Sequence, residues 1–182
     1  AVGTNASAAN TTAGSNTAVG YDALAANTTG SNNVAVGRGA AQASTAVGVT
    51  AIGRDALAGS NTANYNTAIG NSALASNTSG STNVAVGRNA LNANTTGSVN
   101  TAVGMRSIDV NTTGYNLTAV GGDSMGANTT GNSNTAIGMD ALKANTTGAE
   151  HVAVGTYAGD AVTTATVNTL IGHNAGTNAT TG

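Results

Sequence analysis

The chain has 182 residues, a formal net charge of −2 and no Cys, Pro, Phe or Trp. Its apolar content is mostly Ala and Val, so a thick core of large side chains cannot form, and disulfides and thiolate metal sites are excluded. Five Lys and Arg residues, scattered along the whole length, make no clustered basic face for nucleic acid.

Read from the first residue, an Ala-Val-Gly or Ala-Ile-Gly triplet recurs. Its glycine stands at Gly3, Gly20, Gly37, Gly53, Gly70, Gly87, Gly104, Gly121, Gly138, Gly155 and Gly172, the last preceded by Leu170-Ile171. The interval is 17 residues throughout, except for 16 between Gly37 and Gly53. Such a period means one structural unit copied rung upon rung, with a thin core repeated many times. The unfailing aliphatic residue before each glycine also argues against the disorder that a polar, weakly charged composition could signal.

One unit reads Asn-Thr-Ala-Val/Ile-Gly, two variable residues, Ala-Leu, two more residues, Asn-Thr-Thr-Gly and a short link. Asn16 to Asn32, Asn66 to Thr82, Asn83 to Val99 and Asn134 to Glu150 are the cleanest copies. Thr-Ala-Val alternation predicts a short strand with the β-branched residues on one side and the Ala on the other. The β-branched residues before the glycine are expected to face the interior. The Ala file, small enough for close approach, is expected to meet neighbouring chains. A second short strand is expected at Asn-Thr-Thr-Gly, closed by Gly30, Gly97, Gly114, Gly131 and Gly148. The four or five residues of the Ala-Leu segment are too few for a stable helix.

The two positions after the repeat glycine accept Tyr, Arg, Asp, Gly, Met and His, as a solvated turn does. Together with the variable links they supply the candidate surface contacts: Tyr21, Arg38, Arg54, Tyr65, Arg88, Arg106, Tyr115 and Tyr157. Residues 42–66 break the pattern, with Asn-Thr-Thr-Gly missing and an extra Ala46-Val47-Gly48. The interval from Thr156 to Thr169 is altered too. The rest is a single array over residues 1–182, and its start and stop inside the repeat suggest a segment of something longer.

Chemistry is sparse. Asp22, Asp55, Asp109, Asp123, Asp140, Asp160 and Glu150 fall on different rungs, and none pairs as a general acid and base. His151 and His173 lie about one rung apart and read as two exposed substitutions, with a metal pair as the remote alternative. No cofactor, metal site or catalytic group is expected. Asn recurs four residues before the glycine (Asn16, Asn33, Asn66, Asn83, Asn100, Asn134, Asn168) and at the head of Asn-Thr-Thr-Gly. These files are expected to bond amide to amide from rung to rung, with a sugar-binding strip as the alternative.

At these residues the chain resembles the head repeats of YadA-type trimeric autotransporter adhesins and the related repeats of bacteriophage tail fibres. The resemblance spans essentially all of the chain. It implies a left-handed parallel β-roll, three identical chains about one axis and an extended fibre. The expected fold is therefore an all-β parallel β-solenoid of about eleven 17-residue rungs, on the order of 50 Å long. The expected function is a non-enzymatic trimeric head or spacer shaft on a cell or virion surface. Its partners would be itself and a host-surface glycan or protein, with neither nucleic acid nor membrane insertion. A self-assembling extracellular filament without a receptor is the alternative. An ice-binding solenoid built on the Thr28-Thr29, Thr95-Thr96, Thr112-Thr113, Thr129-Thr130 and Thr146-Thr147 ladder is a further one.

Overall fold

A computed structural model describes residues 1–179. Each repeat in it supplies one three-residue strand: β1 (Thr17–Val19), β2 (Val34–Val36), β3 (Thr50–Ile52), β4 (Thr67–Ile69), β5 (Val84–Val86), β6 (Thr101–Val103), β7 (Thr118–Val120), β8 (Thr135–Ile137), β9 (Val152–Val154) and β10 (Thr169–Ile171). They form one parallel sheet in sequence order. Val2 adds an isolated bridge to Val19 ahead of β1. One strand per turn, each hydrogen-bonded to the next copy of itself, defines a parallel β-solenoid, and ten strands leave nine turns between them. Ala pairs with Ala from Ala18↔Ala35 to Ala136↔Ala153, and the β-branched residues pair likewise.

The repeat glycine makes the first corner. Gly70 has φ 133°, a conformation L side chains rarely adopt, and its carbonyl oxygen lies 2.6 Å from where a Gly53 Cβ would sit. Two left-handed residues follow, Asp22 (φ 54°) and Leu24 (φ 54°) in the first full copy, with equivalents in each later one. Tight turns close around them, with Ala23 N donating to Gly20 O and Asn27 N to Leu24 O. No helix forms among the described residues. A left-handed Leu costs about 1–3 kcal/mol. Full burial of its side chain contributes about 1.5–3 kcal/mol in return. Leu24, Leu57, Leu74, Leu91 and Leu142 are all completely buried.

Two expectations are overturned. The Asn-Thr-Thr-Gly segment is not a second strand but a bend. Its Asn side chain folds the backbone onto itself: Gly30 N donates to Asn27 Oδ1 at 3.0 Å, and Asn27 Nδ2 donates to Gly30 O at 2.8 Å. The bends still stack through shared backbone acceptors, with Thr95 N and Thr96 N both donating to Thr112 O.

The sheet also faces the opposite way. Ala18, Ala35, Ala51, Ala68, Ala85, Ala102, Ala119, Ala136 and Ala153 point inward and are buried. Val19, Ile52, Ile69, Val120 and Ile137 point outward, each 36–41 % exposed. The narrow interior is already filled by the Leu file and two Asn files, leaving room for only a methyl group from the strand.

Residues 42–66 leave the sheet continuous. Strand register passes through unbroken, with Val34↔Thr50 and Thr50↔Thr67. The missing residue is taken up at the corner, where Ser44 replaces the first Asn and Ala46 N donates to Ser44 Oγ across two residues instead of three. Ala46-Val47-Gly48 is no strand, and the Tyr65 ring of the next rung lies over Gly48. In the altered interval near the end, Gly159 stands where Leu is usual. Leu170 replaces the strand Ala and fills that space, with its Cδ1 2.7 Å from where a Gly159 Cβ would sit.

Candidate functional site

Three surfaces run the length of the rod. The first is the outward strand face: a file of Thr or Val (Thr17 through Thr169) beside a file of Val or Ile (Val19 through Ile171). Thr50, Thr67, Thr101, Thr118 and Thr135 are half-buried there, and Val84 and Val152 stand in the same file. This continuous β-branched face, ten strands long, is the surface that sequence reasoning turned inward.

The second is the turn edge. Tyr21, Arg38, Arg54 and Arg88 occupy one file, each directly after its repeat glycine, with Met105 and Met139 further along. All six are exposed. Arg106 and Tyr157 lie in the adjacent file. Arg106 forks onto Asp123 of the next rung, with Nε to Oδ1 at 2.8 Å and a second nitrogen to Oδ2 at 2.8 Å. That pair raises the Arg106 guanidinium above its ordinary value, chiefly through the hydrogen bond. Tyr157 meets His173 edge to face at 6.2 Å.

The third surface is the far corner, carrying Tyr65 and Tyr115, both exposed. The eight candidate contact residues are therefore split between two separate edges and make no single site.

The Asn files are interior. Asn77, Asn94, Asn111, Asn128 and Asn145 are fully buried and bond in series. Each Nδ2 donates to the Oδ1 of the preceding rung: Asn94 to Asn77 at 2.9 Å, Asn111 to Asn94 at 2.8 Å, Asn128 to Asn111 at 3.1 Å, Asn145 to Asn128 at 3.0 Å. The second file works differently. Asn83 Oδ1 accepts from Asn100 N at 2.9 Å, and Asn83 Nδ2 donates to Gly97 O at 2.9 Å. These amides complete the backbone bonding that a bend leaves unmade. The expected amide ladder is present. Its burial leaves no sugar-binding strip and no modifiable sequon at Asn27, Asn77, Asn94, Asn111, Asn128 or Asn145.

The first Thr of each bend also serves the stack. Thr95 Oγ1 donates to Thr112 O at 3.0 Å, and Thr112, Thr129 and Thr146 repeat the bond. The first Thr is half-buried at Thr95, Thr112, Thr129 and Thr146, where the second is exposed, whereas Thr28 and Thr29 are both exposed.

His151, read as an exposed substitution, is buried and takes an Asn position in the second file. His173 sits on the exposed turn edge, so the two do not pair. Among the described residues no group of three or more metal-ligating side chains forms. His151 Nδ1 accepts from Asn168 N at 3.2 Å, so its Nε2 carries the proton that reaches Ala165 O at 2.7 Å. Burial pushes the imidazole below its ordinary value, against a smaller upward pull from Ala165. An unfolded His151 therefore takes up a proton before a folded one. Its contribution to stability is complete above the unfolded value, about pH 6.5, and is lost as pH falls below it. Urea unfolding midpoints are expected to drop between pH 8 and pH 5. His151→Asn, which restores the usual ladder residue, is expected to flatten that dependence.

Together these features define a β-solenoid repeat protein whose polar ladders are structural and whose variable side chains sit on two edges. The chain matches no protein-family model, no curated protein and no solved structure.

Proposed function

We propose that the rod is a non-enzymatic segment of an extended fibre in which three copies lie in parallel with their strand faces together. It serves as an adhesive head or spacer shaft on a cell or virion surface and meets its receptor through the turn edge. The observation that supports this reading is the outward strand face. It is flat, β-branched and continuous over ten rungs, on the order of 400 Å² if strands stack about 4.8 Å apart. A Val and Ile file beside a Thr and Val file makes it part apolar, and the largest such patch on a monomer is often functional.

A second copy of the chain is the partner best suited to it. Only an object with the same rung spacing can set Val or Ile against Val or Ile at every level without falling out of step. The number three comes from the resemblance of the repeat to YadA-type heads. With the strand faces enclosed, the turn edge and the far corner stay in solvent, where the variable Tyr and Arg residues lie.

Sedimentation equilibrium tests the reading. The expected mass is three times the 17.2 kDa of one chain. A folded monomer overturns it, and an unbounded rise of mass with concentration favours a filament instead.

A further inference from the structure

The turn edge is not uniform. Five of the twelve charged residues of the chain, Arg106, Asp109, Asp123, Asp140 and Lys143, crowd onto three consecutive rungs. Four of them, Arg106, Asp109, Asp123 and Lys143, line a notch of about 420 Å³ together with Gly126 and Ala127. That volume lies within the range of small-molecule sites.

The notch has a specific cause. The fifth position after the repeat glycine holds Ala25, Ala58 and Ala75 on some rungs, Gln42, Asn92, Asp109, Lys143 and Asp160 on others, and Gly126 here. Nothing in the fold demands a glycine at that point. Its φ is not left-handed, and an added Cβ would meet Asp123 O at 3.2 Å, with Asp123 C and Cα at 3.8 and 3.9 Å. The missing side chain opens the space between Asp109 on one side and Lys143 on the other.

Two of the three carboxylates are already engaged. Asp123 holds Arg106, and Asp140 Oδ1 lies 2.9 Å from Lys143 Nζ. Asp109 makes no ion pair among the described residues. Burial pushes its carboxyl upward and Arg106 partly opposes that. Two cations against three carboxylates leave one negative charge, and it faces the cavity. An anion would have to displace Asp123 or Asp140 from its partner. A metal ion would find too few ligands, since no group of three forms among the described residues. The space exceeds what a bare ammonium needs, and its polar lining has no aromatic wall, so a hydroxyl-rich body suits it.

We propose that this notch binds a small polyhydroxylated ligand bearing a primary ammonium group, of amino-sugar size. The ammonium sits on Asp109, and the hydroxyls reach Lys143 and the Arg106–Asp123 pair. The inference does not rest on the fibre reading, because the turn edge is open to solvent whether or not strand faces meet.

Titration of the ¹⁵N-labelled protein with glucosamine, N-acetylglucosamine and ethanolamine, followed by amide shifts, provides the test. Saturable glucosamine binding is expected at the amides of residues 106–109, 123–127 and 143. The uncharged N-acetylglucosamine and the hydroxyl-poor ethanolamine are expected to bind about tenfold or more weakly. Asp109→Asn should weaken glucosamine by about tenfold. Gly126→Gln should abolish the binding by filling the notch. Gln42 occupies the equivalent place in another rung, so the latter variant should keep the wild-type circular dichroism. Asp55→Asn, on a distant rung, should change nothing. Absent glucosamine shifts, or equal binding by Asp109→Asn, overturn the proposal. Equal affinity for N-acetylglucosamine overturns the ammonium requirement, and equal affinity for ethanolamine overturns the sugar body.

Discussion

Gly70→Ala is expected to destabilise the solenoid by about 3–5 kcal/mol, summing a forbidden backbone conformation and overpacking. Gly70 has φ 133°, and an added methyl carbon would stand 2.6 Å from Gly87 O and 2.7 Å from Gly87 C. The obstacle is backbone, so no rotamer change relieves it. The two rungs must separate, which strains the bonds from Thr67 N to Asn83 O and from Gly87 N to Ile69 O. Stability in a solenoid is a sum of rungs and nearest-neighbour interfaces, so damage at one interface can divide the array in two. Hydrogen exchange should therefore show lost protection centred on β4 and β5, together with an earlier thermal transition. Gly14→Ala is the control. Nothing lies within 4 Å of a Cβ there, and its φ is not left-handed. It is expected to be neutral or slightly stabilising.

That contrast shows which parts of the molecule were legible in the sequence. A 17-residue period with an unvarying glycine carries the solenoid, the absence of helix and the corner at that glycine, because each follows from local chain stereochemistry. The facing of the strand does not follow in the same way. A three-residue strand alternates, but alternation is symmetric, and either side could be the inner one. The habit of placing larger apolar groups inside favours Val and Ile, and it fails here because the interior is narrow and lined with amides. A signal was available. In the last copies Gly159 and Gly176 take the Leu position while Leu170 takes the Ala position, an exchange of volume that makes sense only if the two share one interior. Val49, Leu117 and Val162 in the Asn files say the same, for apolar residues do not replace solvated amides.

The expected second strand failed for a different reason. Asn-Thr-Thr-Gly was read for its β-branched Thr residues, whereas the Asn governs the segment by bonding to the glycine three residues on. The notch escaped notice because its members, Asp109, Gly126 and Lys143, are 17 residues apart and mean nothing until they are stacked in one file. The eight candidate contacts come from the variable turns and links, and stacking separates those two kinds of position onto two edges.

Placing a lysine on the strand face is expected to dissolve the assembly while leaving the chain folded. Ile69→Lys with Val120→Lys should convert the expected trimer to a monomer with unchanged circular dichroism. As a monomer the chain tolerates the changes: Ile69 and Val120 are 36 % and 38 % exposed, and a lysine stem can lie along the face with its ammonium in water. Surface changes of this kind usually stay within about 0.5 kcal/mol. In a parallel assembly the same residue from every copy meets at one level, so each substitution brings three ammonium groups into an apolar seam. The strength of that seam should grow with length. Covering the remaining third of a Val or Ile yields about 0.5–1 kcal/mol, which over ten rungs approaches 5–10 kcal/mol per chain. The entropy cost of association, about 4–15 kcal/mol, is met only once. A short array should therefore stay monomeric where a long one assembles, which gives this chain a physical reason to repeat its unit so many times. If the double lysine variant keeps the wild-type mass, the chains meet through another surface and the β-branched face must be explained in some other way.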